Sequence, residues 1–255
     1  MVSASSKYQT FSIRFYGDLR RFLNPPRRNR SFTESVERHP AIKDPIQASG
    51  VPHTEIKYIL VDGEYADLTY QIQGGERIRV YPDRPSDLWK PPRGTRYDLE
   101  PRWPARKRFI CDVHLGRLAR DLRLLGFDTL YERDFKDHQI VELMDRERRI
   151  ILTRDVDLLK RNAVVWGYFV RSTSAGYQLR ELVGKFGLRG REQPFRRCLN
   201  CNGPIRRVAK SRVLAVLPPK TRRCYQKFFQ CGSCGKIYWK GSHYQRLNEK
   251  IKRYS

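Results

Sequence analysis

The amino-acid sequence predicts an α/β fold in which a parallel sheet is flanked by helices. A small α+β unit is predicted before it and a compact cysteine-containing module after it. Short apolar segments alternate with helical patterns between residues 108 and 187, as in parallel strands joined by right-handed crossovers. The flanking parts differ, because strand-like alternation dominates before residue 82 and two C-x-x-C pairs follow residue 196.

The N-terminal part is predicted to be a small α+β unit that ends near Pro82. Its segments alternate in polarity as β-strands do, and Asp62-Gly63 and Gly74-Gly75 mark turns between them. The predicted strands are residues 10–17, 56–62 and 76–81, and residues 36–50 are expected to contain one short helix.

A linker is predicted at residues 82–107. This stretch contains six prolines, which exclude a regular helix or strand. Trp89 and Trp103 lie within it, and we expect them to dock on a neighbouring surface.

Four strands and four helices are predicted to alternate in the middle of the chain. The helical segments have apolar residues at three- and four-residue spacing, and Gly126 ends the first of them. The predicted strands are residues 108–112, 128–132, 149–155 and 164–170, and the predicted helices are residues 115–126, 137–147, 156–162 and 175–187.

The chain carries a large excess of positive charge. Fifty-two Lys and Arg residues against 27 Asp and Glu residues give a formal net charge of +25, which points to a polyanion such as nucleic acid or to an anionic surface. Most of the excess lies in residues 196–255, where 16 basic residues accompany one acid, Glu249. We therefore predict that this segment binds phosphate groups.

Membrane and secretory features are missing from the sequence. No apolar run approaches the roughly 18 residues of a membrane-spanning helix, and the first ten residues lack the apolar core of a secretory signal. We therefore expect a cytoplasmic protein without membrane contact, whose cysteines bind metal before they form disulfides.

Two C-x-x-C pairs predict a zinc site. Each pair has the spacing of the knuckles in tetrahedral Zn²⁺ sites, and 29 residues separate them. The alternative is four free or redox-active cysteines. The pairs are Cys198 with Cys201 and Cys231 with Cys234, and Cys224 and His243 are spare potential ligands.

Acidic residues are predicted at the carboxyl ends of the parallel strands, where such sheets bind ligands. Asp112 and Asp155 each end a predicted strand, Asp137 opens a helix, and Asp157 follows two residues after Asp155. Clustered carboxylates suit the hard cations Mg²⁺ and Mn²⁺, and two such ions can hydrolyse a phosphodiester. We expect Asp112 and Asp155 as direct ligands, Asp137 as a third and Asp157 as a peripheral one.

Local structural roles compete with this interpretation. An Asp at a strand end or helix start is often a cap or turn residue, and Asp137 and Asp157 fit the N-cap role as well. Asp134 is an alternative to Asp137. Solvated surface positions are expected for Asp121, Asp128 and Asp145.

Basic and aromatic residues are interleaved in the C-terminal segment. Basic side chains bind phosphates and aromatic rings stack on unpaired bases, although some of the rings must form the core of so small a module. Arg117, Arg120 and Arg123 repeat at helical spacing and face either phosphate or solvent. The predicted RNA-binding residues are Arg117, Arg120, Arg196, Arg197, Arg206, Arg207, Lys210, Arg222, Arg223, Lys227, Lys236, Lys240 and His243.

Several motifs together carry a family resemblance. The stretches FICD, LGRLARDLRLLGFDT, RIILTRD, RCLNCN and CGSCGKIYWKGSH, with Asp137 between them, resemble the Mut-seven C-terminal RNase domain, a PIN-like nuclease with a fused zinc ribbon. The resemblance covers residues 108–243. Residues 11–82 resemble the ubiquitin-like (β-grasp) domain that precedes this nuclease, through GVPHTEIKYILVDG and RIRVYP. His114 departs from the family pattern of an apolar residue or Met.

The resemblance implies metal-dependent RNA cleavage. It implies Asp112, Asp137 and Asp155 as the acidic site and the four paired cysteines as zinc ligands. Gly74-Gly75 is internal, so the ubiquitin-like domain is expected to bind a partner protein or RNA instead of acting as a carrier or modifier. The predicted segments are a ubiquitin-like domain at 10–84, a Pro-rich linker at 85–107, a PIN-like nuclease domain at 108–195 and a basic zinc ribbon at 196–255.

The sequence therefore predicts a ribonuclease that uses Mg²⁺ or Mn²⁺ at an aspartate cluster and holds RNA on a basic zinc ribbon. The alternative is a non-catalytic RNA-binding factor that acts on tRNA or the ribosome, for which the basic ribbon alone suffices. The acids favour the enzyme. A DNA-binding zinc protein lacks a recognition-helix pattern, and membrane-surface binding explains neither the acids nor the cysteines.

Overall fold

The structure is a computed structural model that describes residues 8–82 and 99–253. The described residues form two compact units, the first containing 8–82, 99–102 and 155–169 and the second containing 103–154 and 170–253. Most of the predicted linker at 85–107, including Trp89, lies outside the described residues. The four predicted domain boundaries stay predictions.

The N-terminal part of the first unit is a five-stranded mixed sheet with one α-helix. Its elements are β1 (Tyr8–Phe15), β2 (Phe32–Glu37), α1 (Lys43–Ala48), β3 (Tyr58–Val61), β4 (Glu64–Ala66) and β5 (Arg77–Tyr81). The strand order is β2-β1-β5-β3-β4. β1 and β5 run parallel, and the other neighbours pair antiparallel.

The core of this sheet follows from alternation along β1. Phe11, Ile13 and Phe15 point inward and pack with Ile46 of α1 and Val80 of β5, as expected for a strand with one buried face. The predicted N-terminal sheet domain is confirmed. The sequence reading missed β2 and β4.

The double glycine forms a tight turn before β5. Gly74 and Gly75 have φ angles of 105° and 92°, which favour glycine. The N–H of Gly75 donates to the carbonyl of Thr10 at 2.7 Å, and the buried carboxylate of Glu76 accepts the N–H of Gly74. The predicted turn is confirmed, and this glycine pair is hydrogen-bonded to β1.

Strands and helices alternate from residue 109 to residue 185, as predicted. The elements are β6 (Phe109–Cys111), α2 (Gly116–Leu124), β7 (Thr129–Leu130), α3 (Asp137–Glu147), β8 (Ile150–Thr153), α4 (Val156–Lys160), β9 (Gly167–Phe169) and α5 (Ala175–Lys185). Of these, α4 and β9 belong to the first compact unit and the others to the second.

In the second unit, β6 pairs in parallel with β7 and with β8. Ile110 lies opposite Leu130 on β7 and opposite Ile151 on β8. β6 and β8 are fully buried, and α2 packs against α5 and β6. The predicted parallel sheet with flanking helices is confirmed. Trp103 meets the Phe186 ring edge to face at 5.1 Å, so its predicted docking is also confirmed.

The C-terminal part of the second unit is an antiparallel three-stranded sheet with short helices. Its elements are β10 (Ile205–Val208), α6 (Lys210–Val213), α7 (Pro219–Cys224), β11 (Phe228–Cys231), β12 (Ile237–Trp239) and α8 (Ser242–Lys252). β11 lies between β10 and β12. One face of this sheet packs Phe228 on Val213 and Leu217 as a small core.

None of the helices in the described part of the chain has the length and apolar character to cross a membrane. The cytoplasmic location stays a prediction.

Candidate functional site

Asp112 lies directly after the buried strand β6, and it is itself only 4% exposed. Its Oδ1 accepts the N–H of His114 at 2.9 Å, and its Oδ2 accepts the N–H of Arg154 at 3.1 Å. The buried hydroxyl of Thr153, at the end of β8, also donates to Oδ2. Three donors therefore fix the orientation of this carboxylate.

Within the described residues, no Lys or Arg side chain pairs with Asp112. The contact with a basic side chain is to His114, whose Nδ1 lies 3.9 Å from Oδ1 and whose side chain is 75% exposed. A buried carboxylate without a strong cationic partner is costly. Asp112 is therefore suited to bind a cation from outside the chain.

Arg154 is held by the segment that follows β9. Its guanidinium lies 2.7 to 3.0 Å from the carbonyl oxygens of Val170, Arg171 and Ser172. The N–H of Val170 donates to the carbonyl of Thr153 at 2.8 Å. These contacts hold the backbone that binds Asp112, just before Asp155 in sequence.

Asp155 caps α4. Its Oδ1 accepts the N–H groups of Asp157 at 2.8 Å and Leu158 at 3.3 Å. The expectation that Asp157 caps this helix is wrong, because Asp157 lies inside the first turn. Both acids are exposed, and Asp157 pairs with Lys160 at 3.6 Å.

Asp137 is the first residue of α3 and not its N-cap, so its predicted capping role is wrong. Lys136 precedes the helix with extended φ and ψ angles, and its N–H donates to the Gln139 side chain at 2.9 Å. Asp137 is half-buried in the first turn, where a negative charge is favourable. Asp134, the alternative to Asp137, is exposed.

The described residues contain one group of three or more His, Cys, Asp or Glu side chains that could hold a metal ion, and it consists of the four paired cysteines. The aspartates do not form such a group among the described residues. Asp112 is therefore the one predicted catalytic acid for which the structure shows a buried and ordered carboxylate.

The four cysteines fit a tetrahedral metal site. The four sulfur atoms lie within 4.8 Å of one another, with Cys198 3.6 Å from Cys234 and Cys201 3.4 Å from Cys231. Four sulfurs around Zn²⁺ at about 2.3 Å would lie about 3.8 Å apart. The donor set can hold a metal such as Zn²⁺. Cys224 lies outside this group.

Tyr238 supports the thiolate form of Cys198. Burial raises the pKa of Cys198, but hydrogen bonds from the Tyr238 hydroxyl and from the N–H groups of Cys201 and Asn200 outweigh it and lower this pKa to about 6. The Tyr238 oxygen lies 3.0 Å from the sulfur. Burial and the neighbouring sulfur raise the pKa of Tyr238, so its hydroxyl remains a donor.

A buried polar network joins the first cysteine pair to the α/β part of the second unit. Asn202 accepts the N–H of Thr129 at 3.0 Å and donates to Asp128 at 2.8 Å. Arg149 and Arg197 form ion pairs with Asp128 at 2.8 and 3.0 Å. Burial raises the pKa of Asp128, but hydrogen bonds from Arg149 and Asn202 and the charges of both arginines lower it overall.

Two acids that were expected on the surface are therefore structural. Asp128 belongs to the buried network, and Asp121 is 5% exposed and pairs with Lys250 of α8 at 2.6 Å. The expected surface position is wrong for Asp121 and Asp128 because their partners lie far along the chain. The expected surface position is confirmed for Asp145, which is exposed. Arg123 is also buried, and it donates to the carbonyl of Asn200 at 2.7 Å.

A groove of about 930 Å³ opens on the C-terminal sheet. We call it the ribbon groove; its walls include Arg120, Arg207, Phe229, Tyr238, Lys240 and Tyr244. Among the predicted RNA-binding residues, seven line it and six do not. Those that line it are Arg120, Arg196, Arg197, Arg207, Lys236, Lys240 and His243, and those that do not are Arg117, Arg206, Lys210, Arg222, Arg223 and Lys227.

Comparison with known families agrees with this architecture. The family model described as the Mut7-C RNAse domain matches residues 107–251, more than half of the chain. The chain belongs to the Mut7-C RNAse domain family. The model described as Mut7-C ubiquitin matches residues 8–87, so the Mut7-C RNAse domain follows a ubiquitin-like domain, as predicted. A search of curated proteins found no match.

Membership in the Mut7-C RNAse domain family supports an RNA-related nuclease role. The sequence reading missed the contacts that surround Asp112 and the cysteines. Thr153 and Arg154 lie inside the RIILTRD motif, so their position near a predicted acid was a usable signal. Asn202 directly follows the RCLNC stretch, but the sequence contains no signal for its partners Thr129 and Asp128.

Proposed function

We propose that this Mut7-C protein is a metal-dependent ribonuclease that hydrolyses RNA phosphodiesters at Asp112, with Mg²⁺ or Mn²⁺ as the catalytic cation. The observation that carries the proposal is the Asp112 carboxylate, which directly follows β6, is buried and is fixed by three donors. Membership in an RNAse domain family supports the same activity.

The Asp112 carboxylate fits a hard divalent cation. A carboxylate has about four lone-pair positions, and the donors at Asp112 use three of them, which leaves one position for a metal ion. When bound, Mg²⁺ or Mn²⁺ supplies an activated water and stabilises negative charge on phosphate oxygens. Thr153 and the N–H of Arg154 orient the ligand, as outer-shell donors do in metal sites.

We extend the acidic site to Asp137, Asp155 and Asp157. This assignment rests on their positions after a strand or at a helix start. Asp137 and Asp155 are proposed as further ligands and Asp157 as a peripheral one. Asp155 directly follows Arg154, whose N–H binds Asp112.

We propose that the four cysteines bind a structural Zn²⁺ ion and that the basic C-terminal segment holds the substrate, tRNA or ribosomal RNA. Charge supports the second point, because residues 196–255 contain 16 basic residues and one acid. The ubiquitin-like domain is proposed to bind a partner protein.

Cleavage of end-labelled bulk tRNA and ribosomal RNA tests the proposal. Purified protein is assayed with Mn²⁺, with Mg²⁺ and without added divalent cation. The variants are Asp112→Asn and Asp155→Asn, and the control is Asp145→Asn, which makes the same change at an exposed acid. We expect cation-dependent cleavage by wild type and the control, and its loss in the two site variants.

The products give a second readout. Attack by an activated water is expected to leave a 5′-phosphate and a 3′-hydroxyl, and products with a 2′,3′-cyclic phosphate would refute the hydrolytic mechanism. Salt-sensitive RNA binding by wild type with no cleavage would instead support the alternative, a non-catalytic RNA-binding factor for tRNA or the ribosome.

A further inference from the structure

One face of the C-terminal sheet packs on the small core, and side chains from the other face line the ribbon groove. Phe228 and Trp239 lie opposite each other on β11 and β12 and belong to the small core on one face. Because side chains alternate between faces along a strand, their neighbours Phe229 and Tyr238 point to the other face. Both of these rings line the ribbon groove, as do Tyr225, Ile237 and Trp239 from the core side.

A row of three side chains crosses this second face. Arg207 on β10 lies opposite Phe229 on β11, which lies opposite Tyr238 on β12. Phe229 and Tyr238 are half-buried and Arg207 is exposed. The hydroxyl of Tyr238 is held at the sulfur of Cys198, so its ring has a fixed position. The row therefore presents two aromatic rings beside a cation.

The charge of the groove has one sign. Seven Lys or Arg residues line it, and no Asp or Glu is present among the described residues of its walls. Lys236 and Lys240 flank Tyr238 along β12 and its extension. The rings of Phe195 and Tyr244, which also line the groove, lie 4.5 Å apart between centroids, and the Lys240 ammonium lies 5.3 Å from the Tyr244 ring centroid.

We propose that the ribbon groove binds unpaired RNA nucleotides, with bases stacked on Phe229 and Tyr238 and phosphates held by Arg207 and Lys240. Ring faces on a sheet can stack only on bases that are splayed out of a helix. A mixture of aromatic rings and cations is typical of grooves for single-stranded nucleic acid. At about 930 Å³ the groove lies at the upper end of the range of small-ligand sites, about 300–1,000 Å³.

One groove residue, Arg120, belongs to the helix that follows the proposed catalytic acid. This helix, α2, begins at Gly116, four residues after Asp112. At about 1.5 Å per residue, Arg120 lies about 6 Å along the axis from that start. Arg117 is exposed on the intervening turn. This inference rests on the proposed function, and it names unpaired RNA as the substrate class of the proposed ribonuclease.

Fluorescence anisotropy tests this inference with the full chain. The probes are a labelled 12-nucleotide single strand and a blunt duplex of the same sequence, in buffer without added divalent cation, with RNA integrity checked on a gel. The variants are Phe229→Leu and Arg207→Gln. The matched control is Arg206→Gln, because Arg206 is the exposed neighbour on the same strand but points to the opposite face.

We expect tighter binding of the single strand than of the duplex. Phe229→Leu should weaken single-strand binding by about 5- to 150-fold, as for loss of stacking on one base, with little effect on the duplex. Arg207→Gln should lower the slope of log affinity against log salt by about one, and Arg206→Gln should lower it less. Circular dichroism and zinc content of each variant confirm that the ribbon remains folded.

Equal affinity for both probes, or equal effects of Arg206→Gln and Arg207→Gln, would overturn the inference in favour of diffuse charge. Binding is measured without cleavage, so the two proposals fail separately. A groove-dependent binder that never cuts RNA would refute only the proposed function. An active ribonuclease whose binding ignores Phe229 would refute only this inference.

Discussion

The carboxylate of Asp112 accepts the backbone N–H of Arg154 at 3.1 Å. This bond ties the acid after β6 to the segment that leaves β8, immediately before Asp155. Arg154 is itself fixed through its guanidinium by the carbonyls of Val170 to Ser172. The ends of β6 and β8 and the start of the segment after β9 are therefore held together by polar contacts around one buried carboxylate.

Thr153→Val tests how far this arrangement depends on side-chain donors. The substitution keeps the shape of a fully buried side chain but removes the hydroxyl that donates to Asp112. Hydrogen bonds to charged groups contribute about 1.5–3 kcal/mol, so we expect the free energy of unfolding in urea to fall by that amount, and RNA cleavage to fall with it. Thr153→Ser keeps the hydroxyl and serves as control. A valine variant as stable and active as wild type would contradict the assignment.

Asp128→Asn tests the network that holds the first cysteine pair. Removing one partner of a buried ion pair costs about 3–5 kcal/mol, and Asp128 pairs with both Arg149 and Arg197. We expect a loss of about 3 kcal/mol or more in the free energy of unfolding at pH 7, measured in urea. Asp145→Asn, at an exposed acid, should change it by less than about 0.5 kcal/mol.

The difference in the free energy of unfolding between wild type and Asp128→Asn is also expected to depend on pH. The pKa of Asp128 is lowered in the folded state by its hydrogen bonds and the two arginines. Its contribution is therefore complete above the ordinary Asp pKa of about 3.9 and is lost as pH falls through the lowered folded-state pKa. The stability difference between wild type and Asp128→Asn should shrink below about pH 4. A difference that stays constant down to pH 2.5 would contradict this role.

Zinc content tests whether the four clustered cysteines, and not Cys224, hold the metal ion. Cys234 and Cys224 are both exposed, but only Cys234 belongs to the group within 4.8 Å. Mass spectrometry of the native protein should show one zinc ion per chain for wild type and for Cys224→Ser, and its loss in Cys234→Ser. Because metal binding is coupled to folding in such modules, the Cys234→Ser ribbon should also become protease-sensitive. Equal zinc content in both variants would contradict the four-cysteine site.

Elements with strong local patterns could be predicted from the sequence. The structure begins and ends α3 at the predicted residues, Asp137 and Glu147, because its apolar residues recur at helical spacing. The edge strand β2 was missed because FTESVE has no fully buried residue. The strand β4 has three residues, too few for a periodic signal.

The site was only partly predictable for a different reason. Asp112 and the cysteine pairs have local signals, a strand end and a fixed spacing. The environment of Asp128 depends on Arg149 and Arg197, which lie 21 and 69 residues away, and single-sequence patterns contain no information about such pairs. The same holds for Lys250, which lies 129 residues from Asp121. Which face of a short strand is covered, as for Phe228 and Phe229, also depends on the tertiary contacts.

The rate of RNA cleavage as a function of Mn²⁺ concentration, measured for wild type and Asp112→Asn at constant ionic strength, tests the central claim most directly. We predict a saturable rise in the cleavage rate for wild type. For the variant we predict a rate about 100- to 1,000-fold lower, since losing one key electrostatic contact commonly costs 10²–10³ in rate. Circular dichroism should show that the variant is folded. Cleavage by Asp112→Asn at the wild-type rate, or wild-type cleavage that is independent of Mn²⁺ and Mg²⁺, would contradict the account.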